Sequence, residues 1–229
     1  MLNRAIVALI SVTVVCIALP STALSQNLFL DTFDSYIDGA TPDAWTVNEA
    51  SGIAQATSPG QAGTGKRLRV ETTVQPGPML TAGFASQTTE FTVSFWVRQD
   101  YGGSGSRLTG FKASSGAPFG AWCLLTSDVP GTQLQWKTYT GGWVTLATRD
   151  GGMNTWYYCQ MVVDPASQTW DLYIDSTEEA TAVPFRDAAA TVDEFTIDTD
   201  YSGITTTDTS FDDVSIDQGV TPVEDWDLY

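Results

Sequence analysis

The stretch Thr155–Asp175, TWYYCQMVVDPASQTWDLYID, holds two runs rich in β-branched and aromatic residues on either side of the turn-forming DPASQ. Side chains of a strand alternate between two faces, so parity sorts them. On the first arm Tyr157, Cys159, Met161 and Val163 form the apolar set, and Trp156, Tyr158, Gln160 and Val162 face away. On the return arm Trp170, Leu172 and Ile174 point inward and Asp171, Tyr173 and Asp175 outward. The segment therefore predicts an antiparallel β-hairpin with one face given to a core. It also leaves a second set of aromatics with no evident use.

Working outward, the same texture recurs along the chain. Short β-branched and aromatic runs alternate with Gly, Pro, Asn, Asp and Ser clusters, which predicts strands near 27–33, 52–56, 67–73, 79–83, 91–99, 107–113, 121–127, 133–139, 143–148, 155–164, 170–176, 193–198 and 210–217. No helix-period stretch of useful length follows the first residues. Close turns between many short strands mean an all-β, antiparallel sandwich or barrel. In FTVSFWVRQD, Phe91, Val93, Phe95 and Val97 share the core side, and Thr92, Ser94, Trp96 and Arg98 the other. Three strands thus carry Trp96, Arg98, Tyr158, Gln160, Asp171 and Tyr173 on non-core faces.

The N-terminus reads as an export signal. Arg4 is the only charge before an apolar run from Ala5 to Leu19, and Pro20, Ala23 and Ser25 prepare a cut after Ser25. The run is short for a membrane anchor, and TVVC before Cys16 lacks the small residue of a lipoprotein signal. Residues 1–25 are expected to be removed and the mature protein to be secreted. Residues 26–218 then form one β-sandwich domain, and 219–229 a C-terminal tail carrying no sorting signal. Loss of Arg4 leaves nine basic residues against 27 acidic ones, a net charge near −18. Such a charge repels nucleic acid and anionic lipid, and disfavours polyanionic glycans. There is no histidine, which removes Ser-His-Asp hydrolysis, His-ligated zinc and imidazole acid–base chemistry. After processing, Cys123 and Cys159 remain. In an exported protein an even pair suggests a disulfide; the alternative is two buried thiols that never meet.

FTVSFWVR together with the Thr155–Asp175 hairpin resembles the concanavalin A-like, laminin-G-like jelly roll, a two-sheet antiparallel sandwich whose signature hairpin ends in L-Y-V-D-G; Ser176 stands here at the glycine. DTFDSYIDGATPDAWTV, GKRLRVET and the closing FDDVSID resemble secreted bacterial carbohydrate-binding modules of that type. In such modules the first and last strands lie together and share a structural calcium. Carried over by position, that resemblance implies Asp34 and Asp212 as ligands, with Asp31 and Asp213 as helpers. Calcium takes several oxygen ligands, and no Asp-x-Asp-x-Asp-Gly loop supplies them, so they would come from distant segments. The alternative is a group of solvated acids at strand ends.

Sugars present apolar C–H faces that stack on aromatic rings, and hydroxyls that seek planar polar groups. Trp96, Tyr158 and Tyr173 are expected as platforms, with Arg98, Gln160 and Asp171 as hydrogen-bonding partners, unless a loop or the tail covers that face. The function expected is non-catalytic binding of a neutral glycan outside the cell, with a structural calcium. A His-free polysaccharide lyase or glycoside hydrolase is the alternative, and an adhesion or coat module that binds protein is a third. The Glu-x-Asp-x-x-Glu motif of laminarinase-type hydrolases does not occur; DEFTID offers only Glu194 and Asp198 on one face.

Overall fold

The computed structural model describes residues 26–48, 51–73, 76–100, 107–116, 120–127, 133–199 and 207–219. The expected signal segment 1–25, and the expected tail beyond Gly219, lie outside the described residues. The strands are β1 (Gln26–Asp31), β2 (Thr46–Asn48), β3 (Ile53–Thr57), β4 (Arg67–Thr72), β5 (Met79–Gln87), β6 (Phe91–Gln99), β7 (Arg107–Ser114), β8 (Ala121–Ser127), β9 (Gln133–Tyr139), β10 (Trp143–Asp150), β11 (Tyr157–Asp164), β12 (Thr169–Ile174), β13 (Thr177–Pro184), β14 (Val192–Asp198) and β15 (Thr207–Gln218). They make two antiparallel sheets, and the described residues contain no helix. One eight-stranded sheet runs β13-β12-β11-β6-β15-β4-β3, with β1 also on β15; the seven-stranded sheet runs β10-β9-β8-β7-β14-β5-β2.

β2 and β13 are strands that sequence reading passed over. β2 is three residues long, and β13 is a polar edge strand, TEEATAVP, whose pairing with β12 is twice irregular. Edge strands lack the apolar alternation that marks strands in sequence, because they pack on fewer neighbours.

Between the sheets the parity argument holds strand by strand. Phe91, Val93, Phe95 and Val97 are buried in the core with Tyr157, Cys159, Met161, Val163, Trp170, Leu172 and Ile174. Phe95 sits in a ring of aromatics, with centroids 5.0 Å from Phe111, 5.6 Å from Phe195 and 5.8 Å from Phe211. Asp175 closes the opening hairpin: its carboxylate accepts the N–H of Tyr158 at 2.9 Å.

The cysteines correct one expectation. Cys123 on β8 and Cys159 on β11 are both fully buried and both free. They belong to opposite sheets, whose usual separation of about 10 Å exceeds the Cα–Cα span of a disulfide.

Two features of the chain ends shape the rest. Asp31, the last residue of β1, is buried, and its carboxylate accepts from the N–H of Phe33 at 2.8 Å, the Tyr36 hydroxyl at 3.0 Å and the Trp45 indole at 2.9 Å. It is an internal polar knot, so it is not the calcium helper that its position implied. β15 changes partners halfway: residues 207–211 pair with β4, and residues 214–218 with β1. Phe211 and Val214 both point into the core. The two aspartates between them break the alternation in a bulge, where Asp213 has φ 47°.

Candidate functional site

The β-hairpin β11–β12 and strand β6 are neighbours, so the expected glycan residues do meet on one face, the outer face of the eight-stranded sheet. Tyr158 lies opposite Trp96, and Gln160 opposite both Ser94 and Tyr173. Trp96 meets Tyr158 edge-to-face at 5.2 Å. Burial pushes the Tyr158 hydroxyl up to about 12. Three of the polar groups already serve the fold. Arg98 is ion-paired with Asp100 and stacks over Trp156 at 4.8 Å. Asp171 accepts the Ala182 N–H at 2.7 Å in the irregular β12–β13 ladder, and the Tyr173 hydroxyl donates to Glu178 at 3.1 Å. Tyr158 and Gln160 are only 9% and 5% exposed. The face is therefore close-packed, with Trp96, Trp156 and Tyr173 half-buried.

A second aromatic group lies on the outer face of the seven-stranded sheet. Thr46, Thr81, Thr196, Lys112 and Trp122 are successive cross-strand partners from β2 through β5, β14 and β7 to β8. Tyr139 pairs with Trp143 between β9 and β10. Trp143 lies 5.6 Å from Trp122 and 5.5 Å from Tyr139, ring to ring. The Arg186 guanidinium, brought in after β13 by its N–H bonding to the Gly120 carbonyl, stands 4.7 Å over Trp122 and 5.6 Å over Tyr139. Trp122 is buried beneath these groups, while Trp143 is 51% exposed.

Sequence reading missed this group for identifiable reasons. In AWCLL every residue is apolar, so parity cannot say that Trp122 and Leu124 leave the core. Tyr139 was legible: in QLQWKTY the buried Leu134, Trp136 and Thr138 alternate with it. Arg186 comes from a loop, and no periodicity announces it.

The calcium expectation falls on the β15 bulge. The β3–β4 loop wraps this corner: Asp212 accepts the Gln61 N–H at 2.7 Å, and Asp34 accepts the Lys66 N–H at 2.7 Å. Gly65 lets Asp34 in, since a Cβ there would lie 2.2 Å from its carboxylate oxygen. At Gly60 a Cβ would meet the Thr64 carbonyl at 2.7 Å, Asp212 at 2.8 Å and the Lys66 carbonyl at 2.9 Å, so oxygens converge there. Desolvation, with the charges of Asp213 and Asp34, pushes Asp212 up to about 7; desolvation and then Asp34 raise Asp213. Among the described residues no three His, Cys, Asp or Glu side chains gather as a metal-binding group. The oxygens at this corner are the Asp34 and Asp212 carboxylates and the Thr64 and Lys66 carbonyls, and calcium takes such mixed oxygen donors.

The match to a family model, described as the concanavalin A-like lectin/glucanases superfamily, spans residues 73–224. The chain belongs to this superfamily. The solved structures similar to it share its fold. A sialidase matches with TM-score 0.64 and 12% identity over 83% of this chain, which spans only 18% of the sialidase. Cellulose induced protein, Cip1, matches with TM-score 0.55 and 13% identity over 82% of this chain and 96% of its own. The CBM2 module of the evolved Dit of Lactobacillus casei BL23 phage J-1 matches with TM-score 0.53 and 13% identity, over 88% and 98%. A search of the curated proteins finds no match.

Glu194 and Asp198 of β14 are half-buried on the outer face of the seven-stranded sheet. Four residues apart on one strand, they are separated by roughly 13 Å. Paired-carboxyl glycoside cleavage uses about 5–9.5 Å, so the strand spacing of this pair exceeds what that chemistry needs.

Proposed function

We propose that the protein is a secreted, non-catalytic glycan-binding module, and that its primary site is the Trp143 face of the seven-stranded sheet. The observation that carries this is a tryptophan 51% exposed to solvent yet held by two further aromatic rings. A ring fixed in this way loses little freedom when a ligand stacks on it. The apolar C–H face of a sugar fits such a ring, and Lys112, Lys137, Glu194 and Asp198, half-buried on the same sheet, are suited to its hydroxyls. The mixed signs of these charges and the net charge of −17 favour a neutral glycan.

A structural calcium at the β15 bulge is part of the proposal. Asp34 and Asp212 would hold it with backbone carbonyls of the β3–β4 loop, with Asp213 as a helper, and its charge would offset the cost of burying Asp212. The test is binding to an array of neutral glycans that includes cellohexaose and laminarihexaose. The reading expects wild-type binding that Trp143→Ala weakens at least tenfold. Binding unaffected by that substitution, or none at all, sinks it.

A further inference from the structure

The outer face of the eight-stranded sheet is a separate surface, with the whole core between it and Trp143. A cross-strand row there runs Ser215, Ser94, Gln160, Tyr173 over β15, β6, β11 and β12. The Ser94 and Ser215 hydroxyls bond each other at 2.7 Å. Gln160 beside them is 5% exposed, and among the described residues its carboxamide has no hydrogen-bond partner. Its amide is not among the side-chain groups sealed without a partner, so it keeps contact with water on this face, opposite Ser94 and Tyr173. One residue pair along, Trp96 and Tyr158 pack edge-to-face, and Trp156 carries Arg98 over its ring. Asp100 neutralises Arg98 and also accepts from Ser210. The surface thus combines aromatic rings, hydroxyls and an amide open to water, and the carboxylates of Asp171, Asp217 and Glu178 flank it. Rings that stack on C–H faces, beside carboxylates that accept from hydroxyls and repel anions, complement a neutral sugar rather than an acidic one.

We propose that this face is a second glycan-binding site, so that one chain bridges two glycans. The inference rests on the glycan-binding reading above but uses none of its residues. Because the two sites face opposite ways, a single short oligosaccharide cannot reach both. A monomer would then cross-link glycan-coated surfaces, with the gain in avidity that two linked sites bring.

Calorimetry with cellohexaose and with laminarihexaose tests it. Two sites per chain are expected for the wild type. Gln160→Ala should remove one site and Trp143→Ala the other. Trp156→Ala, outside the strands, serves as a second probe of the Gln160 face should Gln160→Ala unfold. Beads coated with the bound hexasaccharide should be agglutinated by the wild type, at a mass shown by light scattering to be monomeric, and by neither single-site variant. One site per chain, abolished by Trp143→Ala and untouched by Gln160→Ala and Trp156→Ala, overturns the second site and leaves the first standing. No binding of either hexasaccharide overturns both.

Discussion

Trp122 and Trp143 lean together with centroids 5.6 Å apart and planes at 42°, yet one is 2% exposed and the other 51%. The pair divides labour: the buried ring holds the exposed one in place. Trp143→Ala should leave the unfolding free energy within about 0.5 kcal/mol of wild type. Trp122→Ala should cost about 3 kcal/mol or more, since it empties a buried volume. Urea titrations of the two variants, beside glycan affinity, check the division. Equal destabilisation by both would mean that Trp143 is structural.

Asp31 is the second place where one substitution should act strongly. Its carboxylate satisfies the Phe33 N–H, the Tyr36 hydroxyl and the Trp45 indole, all in a site shielded from water. Asp31→Ala strands three donors and should lower stability by about 2–4 kcal/mol, measured by urea unfolding. Asp31→Asn keeps one oxygen acceptor and should cost less.

The bulge acids make stability depend on pH. Asp212, pushed up to about 7, has its folded pKa above its unfolded value of about 4. Folding then favours the protonated form, so the contribution is full below pH about 4 and is lost as pH rises through about 7. Asp213, shifted the same way, adds to the trend. With a chelator present, Tm should fall from pH 5 to pH 7.5, and Asp212→Asn should flatten that fall. Calcium should raise Tm at pH 7.5 in the wild type and much less in Asp212→Asn. Calorimetric scans that show the same calcium response in both would remove Asp212 from the site.

Cys123 and Cys159 predict a simple chemical result. Burial pushes both thiols well up, so neither offers a thiolate at neutral pH. Native protein lacking residues 1–25 should resist a thiol-specific disulfide reagent, and in guanidinium it should titrate two thiols. Two thiols appearing only after reduction would show that the pair is oxidised in the purified protein.

Much of this was legible in advance because strand parity is a local property. FTVSFWVRQD and the Thr155–Asp175 hairpin each declare an inward and an outward set within a few residues, and both sets stand where parity placed them. Asp34 and Asp212, which the family resemblance singled out, both accept backbone N–H groups of the β3–β4 loop. Asp31 was misjudged because an acid beside a strand end looks the same whether it faces water or a tryptophan.

What the amino-acid order determined by itself is the class of the fold, the composition of the core and the surplus of aromatics outside it. Period-2 patterning and turn chemistry act between near neighbours and need no partner to be read. Only the tertiary structure decided that the surplus falls into two groups on opposite sheets. Trp122 and Trp143 belong to different strands, and Arg186 reaches them from a third segment. Their meeting depends on the lateral order of strands, which is set by long-range pairing.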